Sequence, residues 1–231
     1  MPGAASAPDD PRFPRVPPEV PFPPWPRPAP PVPPAPPAVP VVPVPAPPGV
    51  GDDLRSSVYE RLLGRRTVIL DRTLDAEAAT LVAAQLVALD QDSTRPVTLV
   101  VNCPGGPLDA VGAVLDTIDL VRGVVDTTCL GRAVGTGAVV LAAGTGRRRI
   151  GASAQVRLRL AEVELAGTAG DLGDEITRLR DLRRALVDRL AAITGQDRRL
   201  VERDVDQGRA LSAAEAVAYG LVDEVIEPTA G

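Results

Sequence analysis

The chain has 231 residues and a formal net charge of −5. This acidic balance argues against a nucleic-acid partner, because binding to phosphates needs clustered lysine and arginine. The chain contains no histidine, and all 25 of its basic residues are arginines. A Ser-His-Asp or Cys-His site needs an imidazole and a Ser-Lys pair needs an amine, so this chain alone offers no ordinary base for a nucleophile.

Signals for metals, membranes and secretion are also weak. Cys103 and Cys129 are the only cysteines and lack the Cys-x-x-Cys spacing of a zinc site, so we expect no metal and no cofactor. No run of about 18 apolar residues is present, and the N-terminus does not show the basic-then-apolar pattern of a signal peptide. We therefore expect a cytoplasmic protein with reduced thiols and no membrane contact.

Proline divides the chain into two parts. Of the 26 prolines, 22 lie in residues 1–50, where they disfavour both helices and sheet ladders. We predict a disordered, Pro-rich N-terminal extension over residues 1–53 and a folded domain over residues 54–231. The extension is either a solvated polyproline spacer or a docking segment for a proline-binding domain.

Hydrophobic periodicity predicts alternating strands and helices after the Pro-rich extension. In chain order, we predict an amphipathic turn at 58–63, a strand at 67–70, a helix at 74–90, a strand at 97–101, a helix at 108–121, a strand at 124–130, a helix at 133–143, a turn at 144–149, a strand at 155–165 and a helix at 171–195. This alternation predicts an α/β fold with a mostly parallel sheet. The apolar stripe from Ile176 to Ile193 packs either on its own domain or on another subunit.

Two glycine-rich junctions follow predicted strands. Residues 102–106 read Asn-Cys-Pro-Gly-Gly, which predicts a sharp turn at a strand end. Residues 131–137 place three glycines at a later strand-to-helix junction, where a nucleophile on a tight turn would be expected. Backbone N–H groups in such turns can hold an oxyanion. The second junction lacks lysine and fits neither the Walker nor the Rossmann spacing, so nucleotide binding is not expected.

Four ordered motifs resemble the Clp protease proteolytic subunit, of the ClpP/crotonase superfamily, over about residues 57–227. They are Tyr-Glu-Arg-Leu-Leu at 59–63, the Pro-Gly-Gly turn at 102–106, the Ala-Ala-Gly segment with its arginines at 142–149, and a C-terminal set at 194–196, 201–204 and 212–223. The resemblance implies a ClpP/crotonase-type α/β fold of repeated β-β-α units. It also implies a protruding strand-helix handle, formed by the predicted elements at 155–165 and 171–195.

The departures from the family pattern fall on its catalytic residues. The resemblance places the family's catalytic serine at Gly135, its histidine at Leu160 and its aspartate at Gly208. Asp206 lies close enough in sequence to compete for the aspartate assignment. All three positions of the family's catalytic triad are therefore expected to be vacant.

The resemblance also covers two other sets of family positions, those of the oxyanion hole and those of the unfoldase docking site. The resemblance assigns the backbone amides of the oxyanion hole to Gly106 and Thr136, and backbone donors survive side-chain substitution. Such a hole could still bind a carboxylate or a carbonyl. The aromatic positions on which the family's partner AAA+ unfoldase docks correspond to Thr98, Val100 and Leu120, so docking is expected to be weakened.

These residues leave three hypotheses for function. The first is a non-catalytic subunit of a heptameric or mixed ring, assembled with active Clp paralogues in ATP-dependent protein degradation. The second is an active serine-type or atypical endopeptidase, in which Thr136 or Cys103 attacks with an Asp or Glu as base. The third is a crotonase-like acyl-CoA enzyme, in which paired amides stabilise an enolate and a carboxylate is the base.

Two further groups are interpreted as structural. Asp204, with its neighbours Glu202 and Arg203, is expected to form an ion-pair cluster near the subunit surface. Cys103 is expected to be a small buried residue, since nothing basic near it in sequence would lower its pKa.

Overall fold

The structure is a computed structural model that describes residues 50–160 and 169–227. The helices and strands in these ranges are α1 (Val50–Gly64), β1 (Thr67–Leu70), α2 (Ala76–Asp92), β2 (Val97–Cys103), α3 (Val111–Leu120), β3 (Val125–Val134), α4 (Thr136–Ala142), β4 (Arg148–Gly151), β5 (Gln155–Leu158), α5 (Ala169–Thr194), α6 (Arg198–Asp206), β6 (Arg209–Ser212), α7 (Ala213–Tyr219) and β7 (Glu224–Ile226). The predicted Pro-rich extension lies outside the described residues as far as residue 49.

The strands form one sheet that is mostly parallel. Its main path is β1-β2-β3-β4-β7, and every neighbouring pair along that path is parallel. The long strand β3 serves two neighbours, pairing with β4 through Thr127–Cys129 and with β5 through Arg132–Val134. Among the strands of the described residues, only β6 runs antiparallel, against β5. The predicted α/β fold with a mostly parallel sheet is confirmed.

One part of the hydrophobic core lies between α4 and the sheet. Thr127 on β3 donates a hydrogen bond from its hydroxyl to the Leu141 carbonyl at 2.7 Å, so α4 packs against this face. All seven residues of α4 are buried. Small side chains allow that close packing, since a Cβ on Gly137 would lie 2.8 Å from the Cβ of Cys103. The small-residue run after β3 therefore places its helix directly on the strand ends.

Two element boundaries near the glycine junctions differ from the prediction. The strand predicted at 124–130 continues to Val134, so the helix predicted from Ala133 begins at Thr136. Residues 148–151, predicted partly as a turn, form β4, because they pair with both β3 and β7. A strand neighbour on each side stabilises extended backbone that local composition alone does not specify.

Three further elements differ in length from the prediction. The predicted amphipathic turn at 58–63 is part of α1, which begins at Val50. The strand predicted at 155–165 ends at Leu158, and its part from residue 161 lies outside the described residues. Helix α5 begins two residues before the predicted helix at 171–195 and ends one residue earlier.

Helix α5 packs on its own domain through its C-terminal half. Leu186, Val187 and Leu190 are each at most 3% exposed. Ile176 and Leu182, nearer the start of the helix, are only half-buried. Among the described helices, none is both long enough and apolar enough to cross a bilayer.

Candidate active site

The Pro-Gly-Gly turn after β2 is held by contacts with the residues before α2. The Leu74 N–H donates to the Gly105 carbonyl at 2.9 Å, and the Gly105 N–H donates to the Cys103 Sγ at 3.4 Å. A Cβ on Gly106 would lie only 2.7 Å from the carbonyl carbon of Leu74 and would overlap its oxygen. Only glycine fits at position 106, so the Leu74 backbone fixes where the Gly106 peptide lies.

The second junction is a sharp elbow between β3 and α4. Gly135 forms it with φ 55° and ψ −116°, a conformation that residues with a side chain rarely adopt. Its N–H donates to the Arg157 carbonyl at 2.9 Å, which ties the elbow to β5. The strand-to-helix elbow expected for a nucleophile is therefore present, with glycine at its apex.

The structure brings the two turns together. The Thr136 hydroxyl, at the start of α4, donates to the Gly106 carbonyl at 3.4 Å. Neither the Gly106 nor the Thr136 backbone N–H donates a hydrogen bond to another described residue. The two residues predicted to supply an oxyanion hole are thus neighbours.

The space that a nucleophile side chain would occupy is already filled. A Cβ built on Gly135 would lie well under 3.0 Å from the carbonyl oxygen of Arg159, a separation that real Cβ atoms essentially never show. The chain is turned at this point because the Arg159 N–H donates to the Arg157 carbonyl at 3.2 Å, directly after β5 ends. Any side chain at position 135 would have to displace this backbone.

Arg159 lies between Gly135 and Gly208, two positions that the resemblance assigns to the family's triad. Its backbone meets Gly135, and its side-chain Cδ would lie 3.4 Å from a Cβ on Gly208. Leu160, where the sequence places the histidine, is 6% exposed and belongs to the hydrophobic core. The structure therefore brings Gly135 and Gly208 together around Arg159 and not around the Leu160 side chain.

Arg159 was not among the residues predicted for the site, although the alternation of the strand contained a signal for it. Val156, Leu158 and Leu160 are buried, whereas Arg157 and Arg159 are exposed. A side chain that reaches a cleft from this strand must lie on the arginine side of the alternation. The placement of the family's histidine at Leu160 rests on the motif and stays a prediction, with Arg159 as the neighbouring residue on the exposed side of the strand.

The carboxylates near this site are engaged elsewhere. Asp206, the competing candidate for the aspartate, forms an ion pair with Arg183 on α5. Asp204 is buried and accepts hydrogen bonds from Arg209 at 2.9 Å and from the Tyr219 hydroxyl at 3.1 Å. Burial, followed by the hydrogen bond to Asp204, raises the pKa of Tyr219. These carboxylates have structural partners.

The alternative nucleophiles are inaccessible. Cys103 is fully buried, and burial raises the pKa of its thiol, which keeps it protonated. Burial raises the pKa of Cys129 to about 12. Thr136 is 1% exposed. In the described ranges, no group of three or more His, Cys, Asp or Glu is arranged to hold a metal ion.

The fit of Gly106 against Leu74 predicts a large effect on stability. We expect Gly106→Ala to lower the free energy of unfolding by about 3 kcal/mol, because the overlapping atoms are backbone and cannot rotate away. Gly112→Ala is the matched control, since a Cβ there meets nothing within 4 Å. It lies within α3 and should raise stability by up to about 1 kcal/mol. Urea unfolding followed by circular dichroism measures both, and equal stability of the two variants would contradict the account.

Comparison with known proteins agrees with this architecture. The Clp protease family is matched over residues 51–229. The chain is 35% identical over 185 residues to the ATP-dependent Clp protease proteolytic subunit 1 of Streptomyces coelicolor, covering 80% of this chain and 84% of that protein. It is 34% identical over 183 residues to proteolytic subunit 3 of Streptomyces avermitilis, covering 79% and 84%. It is 34% identical over 176 residues to proteolytic subunit 1 of Rhodococcus jostii, covering 74% and 80%. With its parallel sheet, its glycine elbow and these matches along most of its length, the chain belongs to the Clp protease family.

Proposed function

We propose that this protein is a non-catalytic subunit of a Clp-type proteolytic ring, assembled with active Clp paralogues in ATP-dependent protein degradation. One observation carries the proposal. The elbow where the family's nucleophile is expected carries Gly135, and the Arg159 carbonyl takes the space of any side chain there. The fold of the family is retained, whereas the position expected for the nucleophile has no room for a side chain.

The residues around the elbow support the same conclusion. Arg159 lies against Gly135, and a guanidinium group has only hydrogen-bond donors and offers no acceptor for a proton. The chain offers no histidine or lysine as a substitute. A nucleophile in this chain would therefore lack the partner that removes its proton. The neighbouring Asp204 and Asp206 cannot take that role while they are paired with Arg209 and Arg183.

Assembly into a ring is supported by surfaces that the described residues leave partly uncovered. Parallel sheets are usually covered on both faces. Here Val68 and Leu99 on the core face are at most 1% exposed, whereas Ile69 and Val100 on the opposite face are only half-buried. A partner protein of the assembly, either a second subunit or the unfoldase, could cover this second face. A cytoplasmic location and a sevenfold ring are part of the proposal.

The proposed contact with a AAA+ unfoldase is weaker than in active family members. The three residues at the aromatic docking positions are Thr98, Val100 and Leu120, and Leu120 is 77% exposed. None of them offers an aromatic ring, which would supply most of the area of an anchor contact. We propose that unfoldase binding depends mainly on the other subunits of a mixed ring.

Loss of activity is tested directly on the purified protein. We expect no labelling by a fluorophosphonate probe and no hydrolysis of short fluorogenic peptides above a heat-inactivated sample. An active Clp subunit, assayed in parallel, shows that probe and peptides work. Labelling of any residue of this chain, or clear turnover, would overturn the proposal and revive the Thr136 or Cys103 alternative.

A further inference from the structure

Two arginine side chains lie against Gly208, the position that the resemblance assigns to the family's aspartate. The Nε–H of Arg157 donates to the Gly208 carbonyl at 3.1 Å. The aliphatic carbons of the Arg159 side chain lie 3.4 to 3.7 Å from the place that a Cβ on Gly208 would take. Both arginines are exposed. Two cations therefore meet at a residue without a side chain, where the resemblance places a carboxylate.

A third arginine stands on the same face of the sheet. Arg132 on β3 is in register with Gln155, and Val134 is in register with Arg157. Residues paired across neighbouring strands point to the same side of a sheet, so exposed Arg132 lies on the face that carries Arg157. We call Arg132, Arg157 and Arg159 the arginine cluster.

The arginine cluster has no acidic partner in the described part of the chain. None of its members forms a salt bridge with a described carboxylate. The acidic residues that precede Gly208 on α6 are engaged, because Asp204 pairs with Arg209. Asp206 pairs with Arg183. Like charges held on one face repel, so an anion that binds among them is attracted by all three.

The donors left in the arginine cluster suit a carboxylate. Arg157 uses its Nε–H on Gly208, and its Nη groups donate to no other described residue. The Arg159 guanidinium donates to no described residue, since the one hydrogen bond that Arg159 donates within the described chain comes from its backbone N–H. A guanidinium group presents its N–H donors in a planar fork that matches the two oxygens of a carboxylate.

We propose that the arginine cluster binds the carboxylate of a peptide. The inference rests on the proposed function, because a subunit of a proteolytic ring meets the peptides that its active neighbours produce. Hydrolysis of a peptide bond leaves a new C-terminal carboxylate, and acidic side chains carry the same group. The cluster holds such a carboxylate beside Gly135, where no side chain is present to attack the peptide.

Binding of short peptides to the purified full-length chain tests the inference. Three peptides of equal length carry an uncharged fluorescent dye at the N-terminus. The first is neutral with an amidated C-terminus, the second is the same peptide with a free C-terminal carboxylate, and the third is amidated but contains glutamates. We expect both carboxylate peptides to bind at least about tenfold more tightly than the neutral one, and more weakly as salt is added. Fluorescence anisotropy measures each Kd, and the second and third peptides separate chain ends from acidic side chains.

Arg159→Gln is the most informative variant, because the Arg159 guanidinium has no partner among the described residues. We expect it to weaken binding of the carboxylate peptides at least about tenfold and to leave the unfolding temperature unchanged. Arg157→Gln should weaken binding by about fivefold. Arg147→Gln is the matched control, since Arg147 is exposed, lies beside Thr127 near the start of β3, and uses only its backbone in hydrogen bonds to described residues. It removes the same charge and should bind like the wild type.

Three results would overturn the inference. The first is equal affinity for the neutral and the carboxylate peptides, or unchanged binding by Arg159→Gln. The second concerns Glu162 and Glu164, which follow the cluster in sequence and lie outside the described residues. If Glu162→Gln combined with Glu164→Gln raises the affinity at least about tenfold, the chain's own carboxylates occupy the cluster. The third is a lower Kd for inorganic phosphate than for either carboxylate peptide, which would identify a phosphate site instead.

These outcomes are separate from those that test the proposed function. Peptide binding is measured on this chain alone, so its failure leaves a non-catalytic role in a ring untouched. Labelling of this chain by a fluorophosphonate probe would overturn the proposed function even if the carboxylate peptides bind as expected.

Discussion

Gly135→Ser alone is expected to leave the protein without peptidase activity and to destabilise it. The new Cβ would overlap the Arg159 carbonyl, and the backbone at 135 is in a conformation that disfavours side chains. Forcing an extra atom into a packed site costs about 1–3 kcal/mol. A serine there would also lack a base, and triad members act as a unit, so the hydroxyl alone gains little.

Restoring a base should matter only at the correct position. In one triple variant, Gly135→Ser is combined with Arg159→His and Gly208→Asp, and in a matched one Leu160→His replaces Arg159→His. Because Arg159 contacts both of the other positions, we expect weak peptide cleavage in the first variant. The gain should be at least about tenfold over Gly135→Ser, far below the roughly 10⁶-fold contribution of an evolved triad.

Hydrolysis of fluorogenic peptides and fluorophosphonate labelling measure these variants. Each should first be checked for folding by circular dichroism, since the serine is expected to strain the elbow. Cleavage by the Leu160→His combination but not by the Arg159→His one would support the assignment made from the sequence. Robust cleavage by Gly135→Ser alone would mean that an acidic group such as Asp206 can act as the base.

Asp204→Ala is expected to produce the largest loss of stability among the acidic residues of α6. The Asp204 side chain is 3% exposed and joins α6 to β6 and α7 through Arg209 and the Tyr219 hydroxyl. Removing it leaves a buried tyrosine hydroxyl without an acceptor. Arg209 is 42% exposed and can turn to water, which limits the electrostatic part of the loss. We expect unfolding to become easier by about 2–3 kcal/mol.

Asp206→Ala is the control for that prediction. Asp206 lies two residues further along, at the end of α6, and its side chain is 59% exposed where it pairs with Arg183. An exposed ion pair of this kind contributes about 0–1 kcal/mol. Urea unfolding of both variants gives the comparison. Equal losses at the two positions would show that the Asp204 cluster is not the connection between these elements.

The elements with strong periodicity were predictable from the sequence. The strands at β1 and β2 and the long helix α5 follow their apolar patterns closely. The helix predicted to begin at Ala133 was wrong at its start, because small apolar residues suit a helix and a buried strand equally. Pairing with Cys103 on β2 and Val156 on β5 makes Ala133 part of the strand, and no local signal reports such distant partners.

The two turns of the candidate site were predictable from the sequence. The contact that fills the space beside Gly135 was not. The residues of the two glycine junctions specify tight turns through their own conformational preferences, so Gly106 and Thr136 were placed by motif and are neighbours in the structure. The closure of the elbow depends on how the chain turns after Leu158, which brings the Arg159 carbonyl onto Gly135. That contact joins residues 24 positions apart, and a linear motif does not specify it.

The central claim is most directly tested on the assembly isolated from the native cell. The full-length chain should be purified with an affinity tag, treated with a fluorophosphonate probe and analysed by native and denaturing mass spectrometry. We expect a ring that contains this chain together with another Clp subunit, with the probe bound to the other subunit and none bound to this one. Probe attached to this chain would contradict a non-catalytic role, and recovery of this chain without any Clp subunit would contradict its role in a mixed ring.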